Sequence, residues 1–104
     1  MIRGDSEAIK VSCRDESGVD IPLVEGDIVY FTVKRSVYTE EKILQKIVTE
    51  FTDGVALITI FPEDTRELKP GDYCYDIQLN RANGQVKTII PPSKFTINAE
   101  VTYE

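Results

Sequence analysis

Histidine and tryptophan are both missing from this sequence. Without histidine, nucleophilic sites of the Ser/His/Asp and Cys/His types are excluded, because both need an imidazole as general base. Two cysteines alone cannot complete a four-ligand zinc site of cysteines and histidines. A glycine-rich phosphate loop is also missing. We therefore expect no catalytic, cofactor-binding or metal-binding residues, and we predict that the chain is not an enzyme.

Cysteine is scarce, and no segment has the character of an export signal. Cys13 and Cys74 lie far apart in the sequence, and residues 1–10 lack the apolar core of a signal peptide. No apolar run approaches the roughly 20 residues that cross a bilayer. We expect two free thiols in a reducing compartment, rather than a disulfide.

Basic residues are outnumbered, with 12 Lys and Arg against 18 Asp and Glu and a formal net charge of -6. No basic patch stands out along the chain. An acidic chain repels nucleic acid and anionic membrane surfaces, so neither is an expected partner. No small-molecule substrate is expected either.

Apolar and polar residues alternate with period two from end to end, which is typical of antiparallel strands in a sandwich or barrel. We find no linker and predict one domain spanning residues 1–104. In the segment Asp27–Arg35, residues Val29, Phe31 and Val33 should face the core. The predicted strands are Ala8–Cys13, Asp27–Arg35, Leu44–Phe51, Val55–Phe61, Tyr73–Asn80, Val86–Ile90 and Lys94–Thr102, with a short extra one near Val19–Leu23.

Three segments need separate consideration in this pattern of strands. The segment Glu40–Val48 also fits a helical stripe, but Asp53-Gly54 beyond it is a tight-turn signal, so we favour a strand. Asn83-Gly84 predicts a type I′ hairpin turn with positive φ at both residues. Pro91-Pro92 cannot donate ladder hydrogen bonds, so we expect the last β region to bend or break there, most easily at a sheet edge.

The segment Leu68–Tyr73 has the pattern of a tyrosine corner. Pro70 and Gly71 suit a type II turn, and Leu68 should enter the core. The Tyr73 hydroxyl should bond to upstream backbone. With about seven strands, this motif favours an immunoglobulin-like or fibronectin type III-like antiparallel β-sandwich. Tyr73 is then a structural residue and not a ligand contact.

The acidic residues suggest two kinds of local structure. Residues 62–67 should form one helical turn with solvated carboxylates, because proline and acidic residues suit a helix N-terminus. For a second acidic group, a bound calcium ion is the alternative to plain solvated turns, although the spacing of these residues matches no EF-hand loop. That group consists of Asp15, Glu16, Asp20, Glu25 and Asp27.

Two further motifs have structural interpretations that we prefer. The tripeptide Arg3-Gly4-Asp5 spells an integrin-recognition sequence, but it leads into a strand rather than a protruding loop. Tyrosines could form an exposed strip that binds a glycan or a protein, although cross-strand packing is the alternative that we favour. These tyrosines are Tyr30, Tyr38, Tyr75 and Tyr103.

The chain resembles small immunoglobulin-like domains of tailed-phage and prophage structural proteins, notably the N-terminal domain of phage baseplate upper proteins. Short motifs spread over nearly the whole chain carry the resemblance. They are Arg3-Gly4-Asp5-Ser6, Asp20-Ile21-Pro22-Leu23, Pro62-Glu63-Asp64-Thr65, Leu68 through Leu79, the Asn83-Gly84 turn and Glu100-Val101-Thr102.

This resemblance implies a tail or baseplate protein that is made in the bacterial host cytoplasm, is located in the virion, and contacts other tail proteins or itself. If the chain is complete at Glu104, we expect an accessory protein rather than a host-recognition protein. If it is a fragment, we expect an attachment domain. A carbohydrate- or surface-binding β-sandwich module is the alternative. The expected interface is the apolar stretch at the proline break, formed by Ile89, Ile90, Pro91 and Pro92, although simple edge protection also explains the prolines.

Overall fold

The computed structural model describes residues 1–101, and their fold is all-β with several antiparallel sheets. The all-β class predicted from the sequence is thereby confirmed. The elements are β1 (Glu7–Val11), β2 (Cys13–Arg14), β3 (Asp20–Ile21), β4 (Ile28–Lys34), β5 (Lys42–Val48), β6 (Ala56–Ile60), α1 (Pro62–Thr65), β7 (Gly71–Asn80) and β8 (Val86–Ile97).

Residues 1–101 form three sheets, the largest with four strands in the order β5-β4-β7-β8. Strands β1 and β6 form a second sheet, and β2 pairs with β3. Buried side chains from the four-stranded sheet and from the β1–β6 sheet belong to one apolar cluster. The four-stranded sheet therefore has an inner face toward this core and an outer face that no described segment covers.

The inner face follows from the alternation in β4. Val29, Phe31 and Val33 are fully buried, as the sequence predicts. Phe31 lies opposite Ile77 of β7 and packs against the rings of Tyr75 and Phe95, with centroids 5.6 and 6.0 Å away. Tyr75 is thus part of a core aromatic cluster, and the exposed tyrosine strip is not formed; Tyr103 lies outside the described residues.

The segment with two possible structures is a strand. β5 covers Lys42–Val48 and pairs with β4, so the strand interpretation was right. Asp53 and Gly54 have φ of 54° and 74°, and Thr52 and Val55 exchange backbone hydrogen bonds of 3.0 Å. This is the predicted tight turn.

The hairpin between β7 and β8 forms where Asn83-Gly84 predicts it, but the turn type was wrong. Gly84 has φ of 91°, whereas Asp53 is the only non-glycine with positive φ in the described part of the chain. The Gly84 N–H donates to Arg81 O at 2.9 Å, and Arg81 N–H donates to Gln85 O at 2.7 Å. These bonds close a three-residue loop in which only the last residue needs positive φ, rather than a two-residue type I′ loop.

β8 continues through Pro91 and Pro92, so the two separate strands predicted on either side of the prolines were wrong, whereas the predicted edge position is found. β8 is one strand at the edge of the four-stranded sheet, and two register shifts absorb the prolines. Tyr75 lies opposite Ser93 while Ile77 lies opposite Ile90, which leaves one extra residue on β8. A second extra residue follows, because Gln78 lies opposite Thr88. Bulges of this kind let an edge strand keep its course where ladder donors are missing.

The first residues run beside the end of β8. Ile2 forms a parallel bridge with Asn98, and the N-terminal ammonium of Met1 donates to Thr96 O at 2.7 Å. Arg3 forms an ion pair of 2.8 Å with Glu100 and donates to Leu68 O. The Arg3 side chain is therefore bound within the fold, as the structural interpretation of Arg3-Gly4-Asp5 requires.

Candidate functional site

The segment predicted as a structural corner lies between α1 and β7. Tyr73 is 6% exposed, and its hydroxyl donates to Lys69 O at 2.7 Å. Leu68 packs against the core, whereas Pro70 is exposed. Gly71 has φ of 150° and is already the first residue of β7, opposite Ile97, so the type II turn expected at Pro70-Gly71 is not formed.

A buried carboxylate joins two loops at the end of the molecule where β4 begins. Asp27 is 1% exposed and accepts backbone hydrogen bonds of 3.0 Å from Val24 and from Ala82. The Arg81 guanidinium lies 3.3 Å from Oδ2, the oxygen that also accepts the Val24 N–H. Burial opposes ionisation of Asp27, but the two N–H donors and Arg81 outweigh it and hold the pKa of this carboxyl below its ordinary value.

A third turn lies against the same loop. Leu23 N–H donates to Gly54 O at 3.0 Å, and a Cβ on Gly54 would lie 2.9 Å from the Pro22 side chain. Glycine is needed here both for its positive φ and for this close approach. Residues 22–27, 52–55 and 81–85 therefore form one braced end of the fold.

Three of the five carboxylates considered for calcium, those of Asp15, Asp20 and Asp27, have protein partners. Asp15 accepts hydrogen bonds of 2.9 Å from the N–H groups of Ser17 and Val19. Asp20 pairs with Arg14 at 2.9 Å. In residues 1–101, no three His, Cys, Asp or Glu side chains are grouped so that they could hold a metal ion.

The helical turn α1 begins at Pro62, as predicted, but its acidic residues differ from expectation. Glu63 is exposed, whereas Asp64 is in an ion pair of 2.7 Å with Lys46 and accepts the Phe61 N–H at 2.7 Å. Burial raises the pKa of Asp64, whereas Lys46 and the Phe61 N–H lower it. The net effect is a pKa below the ordinary value. Lys46 also lies 5.2 Å from the Phe61 ring centroid, a cation–π contact that ties β5 to the end of β6.

The predicted interface residues split into two pairs. Ile89 and Ile90 are half-buried and pack against the core, and Ile90 lies opposite the buried Ile77. Pro91 and Pro92 are exposed. The core-facing isoleucines are therefore poor contacts for a partner, whereas the prolines remain available.

Pro92 lines a small crevice together with Val37, from the loop that joins β4 to β5. The crevice has a volume of about 110 Å³, and Cys74 and Asp76 of β7 also line it. Beside it in the chain, Tyr38 is 94% exposed and Val37 is 49% exposed. We refer to this feature as the Val37–Pro92 crevice.

A larger depression, which we call the outer-face groove, lies on the outer face of the same sheet and has a volume of about 320 Å³. It shares Thr32, Lys34 and Asp76 with the crevice, so the two are continuous. The register places these side chains in rows across the sheet, since Tyr30 lies opposite Gln78. The residues that characterise the groove are Tyr30, Lys34, Gln45, Asp76, Gln78 and Asn80.

The two cysteines lie in different environments. Cys13 is 3% exposed in the core, whereas Cys74 is half-buried on the outer face. Both are free thiols in the structure. The described part of the chain also contains no helix long and apolar enough to cross a membrane.

Comparisons of the chain with protein-family models, with curated protein sequences and with solved structures give no match. The site must therefore be interpreted from its own geometry. Sequence reasoning missed the outer-face groove and the role of Val37. The alternation in β4 did contain a signal, because it set Tyr30, Thr32 and Lys34 on the side opposite the core.

Proposed function

We propose that the chain is a non-catalytic assembly module with an immunoglobulin-like β-sandwich topology, which acts through protein–protein contacts in a phage or prophage tail or baseplate. Its partners are other tail proteins or a second copy of itself. The sequence resemblance supports the assignment to a tail or baseplate, and the geometry of the exposed surface supports action through protein–protein contacts.

The strand order supports the topology. In immunoglobulin-like sandwiches the second and fifth strands pair in one sheet, while the third strand lies beside the last two in the other. Here β1 pairs with β6, and β4 lies beside β7, which pairs with β8. The hydrogen bond from the Tyr73 hydroxyl to Lys69 O, at the start of β7, supports the proposal of a tyrosine corner.

One observation carries the proposed mode of action: Val37, from the loop after β4, and Pro92, from the middle of β8, line one crevice beside a nearly fully exposed tyrosine. Tyrosine is enriched at the centre of protein interfaces, where its ring fills a partner's pocket and its hydroxyl finds a hydrogen-bond partner. We call Val37, Tyr38 and Pro92 the docking patch. Of the sequence-predicted interface it retains Pro92, while Val37 and Tyr38 take the place of the isoleucines.

The edge of β8 plays a smaller part in this proposal. Its end is beside Met1–Arg3, and its middle contains two bulges and two prolines. Such features discourage another strand from adding to an edge. The partner therefore docks on side chains of the patch rather than by extending the sheet.

The test is a binding measurement with the docking patch altered. Self-association is measured by sedimentation velocity from 1 to 100 μM protein, and binding to tail proteins encoded nearby is measured by interferometry. Tyr38→Ala and Pro92→Glu should each weaken association at least tenfold, whereas Leu57→Ala, on the opposite sheet, should leave it unchanged. Equal association by all four proteins would contradict the proposal.

A further inference from the structure

The outer-face groove contains hydrogen-bonding groups that the fold itself does not use. The side chains of Lys34, Asp76 and Gln78 form no hydrogen bond or ion pair within the described residues, and the Gln45 side chain makes a single bond, to Thr32, at 3.1 Å. Asn80 Oδ1 is buried and has no partner among the described residues. A buried amide oxygen without a partner is destabilising, so rotation of the Asn80 amide toward a ligand that supplies a donor is favourable.

The lining chemistry distinguishes among classes of ligand. An apolar ligand is disfavoured, because amides and charged groups line the groove. A peptide strand cannot pair with β4 or β7, since both are hydrogen-bonded to neighbours on both sides; of the strands that line the groove, only the edge strand β5 has a free side. Nucleic acid is disfavoured by the net charge of -6. A polyhydroxylated ligand fits, because each hydroxyl is both donor and acceptor and the groove presents both.

The dimensions also suit such a ligand. Tyr30, Thr32 and Lys34 alternate along the outer face, so their rows span roughly 13 Å at about 3.3 Å per residue. Tyr30 supplies an aromatic side chain at one end, where the apolar face of a sugar ring can pack. The crevice extends the groove at the other end.

We propose that the outer-face groove binds a short oligosaccharide, with a pyranose ring against Tyr30 and sugar hydroxyls hydrogen-bonded to Gln78, Asn80 and Asp76. Lys34 and Gln45 contact the following units of the saccharide. This site adjoins the docking patch, because the crevice extends the groove, but the saccharide contacts named here do not include Val37, Tyr38 or Pro92. The two proposals can therefore be tested with separate variants.

The test begins with an array of oligosaccharides of two to six pyranose units and continues with titration calorimetry on the best-bound member. We expect dissociation constants in the micromolar to millimolar range. Tyr30→Ala and Gln78→Ala should each weaken binding at least tenfold. The matched control is Thr59→Ala, an outward-facing position on β6 that should leave affinity unchanged, and Tyr38→Ala should do the same. Circular dichroism establishes that each variant is folded.

Chemical-shift mapping of the wild-type protein provides a second measurement that needs no variant. Shifts should concentrate on β4 and β7, and affinity should change less than threefold between 50 and 500 mM salt. Failure of every array member to bind at millimolar concentration would overturn the proposal. So would shifts that fall on another face, or a steep loss of affinity with salt, which would indicate a polyanion held by charge.

Discussion

The carboxylate of Asp27 accepts the backbone N–H of Ala82, a residue 55 positions later in the chain, at 3.0 Å. The bond joins the loop before β4 to the hairpin between β7 and β8. Its other oxygen holds Val24, and Arg81 balances the charge. One buried side chain thus braces two loops just beyond the Ile28–Asn80 pair of β4 and β7.

Asp27→Ala should therefore be strongly destabilising, by roughly 2–4 kcal/mol, because it leaves two N–H groups and a guanidinium without their acceptor. Urea denaturation measures this free energy of unfolding. Asp20→Ala is the matched control: it breaks the exposed pair with Arg14, and we expect a change within about 0.5 kcal/mol. Similar losses in both variants would show that Asp27 does not brace the loops.

Acid should weaken the fold through the same carboxylate. The pKa of Asp27 is lower in the folded state than its ordinary value, so its stabilising contribution is complete above the pKa of the unfolded chain, about 4. The contribution is lost as pH falls through the lower folded pKa. Asp64 has a lowered pKa and acts in the same direction. The urea concentration at the unfolding midpoint, measured from pH 7 to 2.5, should decrease once the pH is below about 4. This decrease should be smaller in Asp27→Asn.

Tyr73→Phe should cost about 1 kcal/mol, the typical net value of one hydrogen bond, because it removes the bond to Lys69 O and retains the buried ring. The denaturation midpoint reports the loss. Tyr38→Phe removes the same hydroxyl from a side chain that is 94% exposed, and it should leave the midpoint unchanged. An unaltered midpoint in Tyr73→Phe would show that the Tyr73 hydroxyl does not stabilise the fold.

The two cysteines should react at different rates. Cys74 is half-buried on the outer face while Cys13 is 3% exposed, so iodoacetamide should alkylate Cys74 first in the native protein. Mass spectrometry of time points, followed by peptide mapping, measures the order. Two alkylated thiols should appear after denaturation without reductant. A disulfide, or faster labelling of Cys13, would contradict the described arrangement.

Period-two alternation was enough to predict the all-β class and the buried face of β4, because both follow from local side-chain geometry. The tight-turn signal at Asp53-Gly54 favoured a strand at β5. The type I′ prediction at Asn83-Gly84 was wrong because loop length depends on the register of the flanking strands, which the turn residues do not determine. The break expected at Pro91 was wrong for a related reason, since bulges opposite β7 absorb the missing donors.

The candidate sites were harder to predict than the strands. Val37 and Pro92 line one crevice only because β4 and β8 both flank β7, a sheet order that no local pattern contains. Because Ile89 and Ile90 are apolar and lie beside the prolines, we predicted an exposed contact there, but both side chains pack against the core. The sequence did not distinguish Asp27 from the other acidic residues, because Ala82 and Arg81 contact it only in the folded chain.

Photocrosslinking at position 38 tests the central claim, that the docking patch contacts another protein, most directly. Tyr38 is replaced by p-benzoylphenylalanine, and the control carries the same group at Leu57, which is 51% exposed on β6. After irradiation of the assembled tail or of the concentrated protein, mass spectrometry identifies the crosslinked chain. The account predicts a defined crosslink to a tail protein or a second copy from position 38 and none from position 57. Crosslinks from position 57 alone, or from neither position, would contradict it.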